Sequence, residues 1–171
     1  MGLRPAKCYR KIERPWTRQS QRKPKKGFVK GVPDSKIHRF EVGVGDKNFP
    51  LVMFLVAKTP VQIRHNALEA ARVNANKVLD TNIGKIGYFL KIRVYPHHVM
   101  RENPLATGAG ADRFQTGMRK AFGRPIGVAA QIRAGQKIIE VRGPEGKESV
   151  LRAALKRAAS KLPVTCDIVK A

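Results

Sequence analysis

The first thirty residues hold eleven cations (Arg4, Lys7, Arg10, Lys11, Arg14, Arg18, Arg22, Lys23, Lys25, Lys26 and Lys30) against the single acid Glu13. Pro5, Pro15 and Pro24 break any helical period there, and apolar residues are sparse. Such a segment buries too little surface to offset its ordering entropy, so on its own it is extended or disordered. Laid on a phosphate backbone it neutralises many charges, while Tyr9, Trp16 and Phe28 stack on bases or pack against a folded domain. The bland alternative is a solvated basic tail or a localisation signal. The interleaved aromatics and prolines favour a fixed extended path, which weighs towards a nucleic-acid arm. The imbalance extends over all 171 residues, where 35 Lys and Arg face 12 Asp and Glu for a formal net charge of +23. That excess repels itself in isolation and points to a polyanionic partner. A hydrophobic share of 42% still supports the core of one domain, whereas aromatics at 6% argue against stacking as the main mode of binding.

Residues 1–30 therefore read as a basic arm and residues 31–171 as a single folded domain. Ile37 to Val42 alternates like a half-buried strand, and Phe49 to Val56 reads as a buried one. Thr59, Pro60 and Gln62 form a helix-start pattern, with Thr59 as N-cap. Leu68, Ala71, Ala75, Val78 and Leu79 place one apolar stripe on that helix, with Arg64, Arg72 and Lys77 falling away from most of it, and Asn82 and Gly84 end it. A strand from Ile86 to Tyr95 follows. Residues 96–125 are punctuated by Pro and Gly and carry Arg101, Arg113, Arg119, Lys120 and Arg124. A connection this long is functional or disordered, and Asp112 is placed to cap a short helix through Met118 to Phe122. Ile126 to Ala134 and Lys137 to Arg142 read as a hairpin, Lys147 to Leu162 as a second helix stopped by Pro163, and Val164 to Val169 as a closing strand. The order β-β-α-β-loop-β-β-α-β predicts an α+β fold with two helices packed on a mainly antiparallel sheet.

The longest apolar run, Leu51 to Ala57, is far shorter than a membrane span, and no apolar segment follows the basic N-terminus as a secretory signal requires. Cys8 and Cys166 form no CxxC pair, so a reduced cytoplasmic protein is expected. The four histidines lack metal-ligand spacing. His97 and His98, adjacent on a strand, point to opposite faces and suit RNA contact or simple exposure better than ligation. Gly43 and Gly45 begin a GxGxxG pattern, but Asn48 occupies its third glycine position. Glu145 and Glu148 are explained by the helix start they occupy. No catalytic constellation, cofactor site or small-molecule substrate site emerges.

The strings MGLRPAKCYR at the N-terminus, GVPDSKI at residues 31–37, ALEAARVNANK at 67–77 and HHVMREN at 97–103 resemble one family, as does GAGADRFQTGMRKAFGRP at 108–125. It is the archaeal and eukaryotic large-subunit ribosomal protein family called ten-e, the counterpart of bacterial large-subunit protein sixteen. ALKRAASKLPVT at 154–165 also resembles the bacterial branch, and an end at Ala171 without the longer C-terminal extension of eukaryotic members favours the archaeal branch. The resemblance implies a hammerhead-type α+β fold on large-subunit rRNA, near the base of the central protuberance, with neighbouring ribosomal proteins as partners. It further implies a flexible loop at about residues 101–113 directed towards tRNA beside the peptidyl-transferase centre.

The rRNA-binding residues expected on this basis are the eleven cations above with Trp16, Arg64, Arg72, His97, His98, Arg119, Lys120 and Arg124. The expected tRNA-facing set is Arg101, Glu102, Asn103, Gly108, Gly110, Asp112 and Arg113. Two other classes remain as alternatives: a free-standing nucleic-acid-binding module, and an RNA-directed enzyme using His97, His98 or Asp112.

Overall fold

The computed structural model describes residues 3–15, 23–45, 48–106, 108–115 and 117–171. Its strands and helices follow in the order β1 (Glu41–Gly43), β2 (Leu51–Ala57), β3 (Val61–Arg64), α1 (His65–Asn82), β4 (Phe89–Ile92), β5 (His98–Glu102), β6 (Arg124–Ile132), β7 (Lys137–Gly143), α2 (Glu148–Ala159) and β8 (Cys166–Lys170). They form a five-stranded sheet in the order β1-β4-β7-β2-β8 and a three-stranded sheet in the order β3-β6-β5. Every pairing is antiparallel. The fold is α+β, as the alternation of strands and amphipathic helices predicts.

Both helices follow from their apolar spacing. Leu68, Ala71, Ala75 and Leu79 are fully buried on α1, and Leu151, Ala154, Leu155 and Ala158 on α2. The alanines let the two helices lie against each other, and the seam packs on Met53, Leu55, Leu90, Ile139 and Val141 of the larger sheet. Val61, Ile63, Ala130 and Ile132 join the same core from the smaller sheet. At the end of α1 the Ile83 amide donates to Leu79 and the Gly84 amide to Asp80, with Gly84 at φ +85.

Four local expectations fail for identifiable reasons. Thr59 and Pro60 precede a strand rather than start the helix, because Val61, Gln62 and Ile63 are all buried and pair with Ile132, Gln131 and Ala130 of β6. Residues 124–143 form no hairpin: β6 pairs with β3 and β5, whereas β7 pairs with β2 and β4. The Gly135 turn, at φ +77 and donating its amide to Ala57, instead passes the chain between the sheets. Met118 to Phe122 adopts turns instead of a helix, and the helical geometry is confined to a 3-10 turn at Ala111–Arg113. Lastly, Ile37 is buried outside any ladder and β1 is short, although Phe40 still accepts the Ile92 amide at 2.7 Å.

Candidate nucleic-acid interface

Residues 3–15 lie against the smaller sheet, and the domain holds them mainly by their backbone. The Gln62 amide donates to the Arg10 carbonyl at 2.9 Å, and its side-chain Nε2 donates to the Tyr9 carbonyl at 3.0 Å. Arg64 Nη1 donates to the Arg4 carbonyl at 2.8 Å, and Gln131 Nε2 to the Glu13 carbonyl at 2.6 Å. Gln131 also donates to Gln62 Oε1 at 3.0 Å, which couples the two glutamines on neighbouring strands. At the far end of β5 the Glu102 carboxylate pairs with Arg4 and accepts the Tyr9 hydroxyl at 2.7 Å. Burial, then that hydrogen bond, pushes the Tyr9 hydroxyl up to about 12, so it remains a donor at physiological pH. Because main-chain carbonyls are what the domain grips, the side chains of Lys7, Arg10, Lys11 and Arg14 remain exposed.

Lys23, Lys25, Lys26 and Lys30 are likewise exposed, the middle two in a 3-10 turn at Pro24–Lys26. Trp16, Arg18 and Arg22, expected to contact rRNA, lie outside the described residues. Arg64 serves the segment directly by gripping Arg4, with its guanidinium 5.9 Å from the Tyr9 ring centroid. Arg72 is held by Glu69 through two hydrogen bonds of 2.9 and 2.5 Å, so its charge is locally matched. His97 is exposed, whereas His98 is 6% exposed and can offer an outside partner little surface.

The β5–β6 connection folds back on itself. Arg101 and Glu102, expected in its loop, belong to β5 instead. Arg101 donates to the Phe122 carbonyl at 2.7 Å and lays its guanidinium 3.9 Å from that ring centroid, which closes the base of the connection. Asn103 donates to Gly117 and the Ala106 amide to Gln115, adding rungs above it. Gly123, at φ +75, brings its backbone so close to Glu102 that a Cβ would stand 2.4 Å from the Glu102 carbonyl carbon. The remaining expected residues Gly108, Gly110, Asp112 and Arg113 are exposed, as are Arg119, Lys120 and Arg124. With them stand Phe114 and Met118, 87% and 69% exposed. Large apolar side chains displayed among cations suit a partner that offers both phosphates and base faces.

Gln62 and Gln131, which grip the segment, and His65 carry no clear sequence signal for these roles, whereas Tyr9 packs against the domain as its place among the cations suggests. The first two are polar residues inside strands, a weak signal that becomes informative only once their burial is known. His65 Nδ1 accepts the Lys36 amide at 2.9 Å, which ties residues 31–36 to the start of α1. Burial, followed by Lys36 and Arg64, lowers its pKa and keeps the ring a neutral acceptor. Among the described residues no cluster of His, Cys, Asp and Glu is arranged to hold a metal ion.

Residues 16–169 match the family model described as ribosomal protein L16p/L10e. The chain is 49% identical to the large ribosomal subunit protein uL16 of Staphylothermus marinus, over 99% of this chain and 94% of the relative. It is 45% identical to the protein of that name from Methanococcus aeolicus, with the same coverage, and 44% identical to that from Archaeoglobus fulgidus, over 99% and 93%. With a family match across most of its length and archaeal relatives aligned nearly end to end, the chain belongs to the L16p/L10e family of ribosomal proteins.

Proposed function

We propose that residues 1–30 bind large-subunit rRNA near the base of the central protuberance, and that the β5–β6 connection helps shape the tRNA-binding cleft close to the peptidyl-transferase centre. The coarser role comes with the family: the protein is a structural component of the large ribosomal subunit, works in translation, associates with rRNA and other ribosomal proteins, and is not an enzyme. The finer assignment rests chiefly on one observation. The domain grips the backbone of residues 4–13 and leaves Lys7, Arg10, Lys11 and Arg14 exposed beside it. A fixed row of cations is suited to phosphates at fixed spacing. The exposed Phe114 and Met118, flanked by Arg113, Arg119 and Lys120, give the connection the chemistry for a second RNA contact.

Sedimentation of extract through sucrose gradients of rising salt tests the reading. The full chain should travel with the large subunit and resist moderate salt. For binding to an rRNA fragment, deletion of residues 1–30 should flatten the log–log salt dependence by several units, since each neutralised phosphate contributes roughly 0.7 to 0.9. An unchanged slope would remove the segment from the interface. A chain that remains at the top of the gradient, or scatters over all nucleic acid, would instead favour the free-standing binding module.

A further inference from the structure

Beside the gripped segment, beyond the end of β4, Tyr95 stacks on Phe40 and meets His97 at a tilt. Phe40 and Tyr95 lie 5.1 Å apart at 24°, and Tyr95 and His97 lie 4.5 Å apart at 45°. Phe40 is half-buried and anchors the series, while Tyr95 is 53% exposed and His97 is exposed. Neither of these two rings belongs to the hydrophobic core, to which the neighbouring Val94 contributes. Tyr95 and His97 form one wall of a cleft of about 270 Å³ whose remaining lining is Pro15, His98 and Gln131. A nucleobase fits that volume, and the aromatic and proline rings of the lining suit its apolar faces.

The cleft also holds an unmade hydrogen bond. His98 Nδ1 is fully shielded and has no hydrogen-bond partner among the described residues. Unpaired polar atoms of this kind are rare because they forgo a bond available in water. Glu13 and Arg101 are the charged groups that act on this imidazole. Neither supplies the missing bond.

We infer that the cleft bounded by Pro15, Tyr95 and His97 receives a single extruded nucleobase of large-subunit rRNA, held against the Tyr95 and His97 rings. The gripped arm contributes Pro15 and thereby completes the site, so docking of the arm and capture of the base are one event. The inference deepens the rRNA-binding reading and rests on it.

Chemical probing of rRNA in isolated large subunits carrying the wild-type chain, Tyr95→Ala, Tyr95→Phe, His97→Ala or Trp16→Ala separates the two. Tyr95 is surface-exposed, and Tyr95→Phe retains the ring if the alanine variant folds poorly. The expected result is one unpaired base that is protected in wild-type and Tyr95→Phe subunits. Its reactivity should rise about fivefold or more in Tyr95→Ala, the lower end of what a base–aromatic stack contributes, and rise also in His97→Ala. Identical reactivity in wild-type and Tyr95→Ala subunits would overturn the inference while leaving the subunit assignment intact. Exposure of the base by Trp16→Ala but not by Tyr95→Ala would also overturn it, by giving the stacking role to the indole. If the wild-type chain itself failed to co-sediment with the subunit, the underlying rRNA-binding reading would fall first.

Discussion

At the end of β5 the Glu102 carboxylate takes Arg4 on one oxygen and the Tyr9 hydroxyl on the other, so a residue of the expected tRNA-facing set holds the N-terminal segment. In Glu102→Gln the amide can still accept from Tyr9, but the attraction for Arg4 is lost. Arg4 is half exposed and already screened, so the cost is about 1 kcal/mol. It should fall on docking of the arm rather than on the core. Hydrogen exchange at the Gln62 amide, which donates to Arg10, should quicken several-fold while the melting temperature barely moves. Unchanged exchange would mean that the carboxylate is not an anchor. Glu140 is the opposite case, a structural carboxylate with its side chain 3% accessible and paired at 2.6 Å with both Arg93 and Arg142. Burial alone would raise its pKa, but hydrogen bonds from Arg142 and Arg93 outweigh it and the net shift is downwards. Ionised Glu140 therefore stabilises the fold above the ordinary glutamate value of 4.5, and that contribution is lost as pH falls through the lower folded-state value. Glu140→Gln should destabilise by about 1–2 kcal/mol at neutral pH, less than for a fully buried pair because both arginines reach water. Stability measured against pH should lose part of its acid limb in the variant. An unaltered limb would assign the acid sensitivity elsewhere.

Among the elements, those whose evidence is local were legible in the sequence. The stripes of α1 and α2, the Gly84 terminus and the run from Leu51 to Ala57 need only their own residues to declare themselves. The four-residue strand β3 does not, because Thr59-Pro60 imitates a helix cap and Val61 and Ile63 show their period only when β6 lies alongside. Likewise, two strands joined through Gly135 read as a hairpin unless their separate partners are known. The exposed cations of the candidate interface were legible in the sequence and the grips on the segment were not, since buried Gln62 and Gln131 look like ordinary surface residues until tertiary burial makes their amides valuable. Besides the Arg101, Asn103 and Gln115 contacts, the β5–β6 connection has a close backbone approach at Gly123 whose partner the sequence does not reveal. Gly123→Ala would force a side chain into a left-handed conformation, at about 1 kcal/mol, and place its Cβ 2.4–2.5 Å from the carbonyl carbon and oxygen of Glu102. Limited proteolysis should then cut within residues 103–122 several-fold faster, with the two helices still protected. Equal cleavage rates would show that the turn at Gly123 does not set the conformation of the connection.

Across the whole molecule, the few acids are spent on internal positioning while the excess of cations faces outwards. Glu69, Glu102 and Glu140 each bind arginine within the fold, and Glu41, Glu148 and Asp167 pair with cations at its surface. The net charge of +23 over the chain suits a component assembled onto RNA. The chain also carries a probe at the proposed contact. Cys8 is exposed in the gripped segment, whereas Cys166 is half-buried and its thiol is pushed up to about 11 by burial and then by Asp167. An iron chelate attached through a thiol-reactive linker should therefore load on Cys8, and after assembly into large subunits it can generate hydroxyl radicals in place. If the arm lies on rRNA, strand breaks should cluster in one region of large-subunit rRNA and vanish in a Cys8→Ser control. Subunits that incorporate the labelled chain yet show no breaks above that control would contradict an rRNA-bound arm.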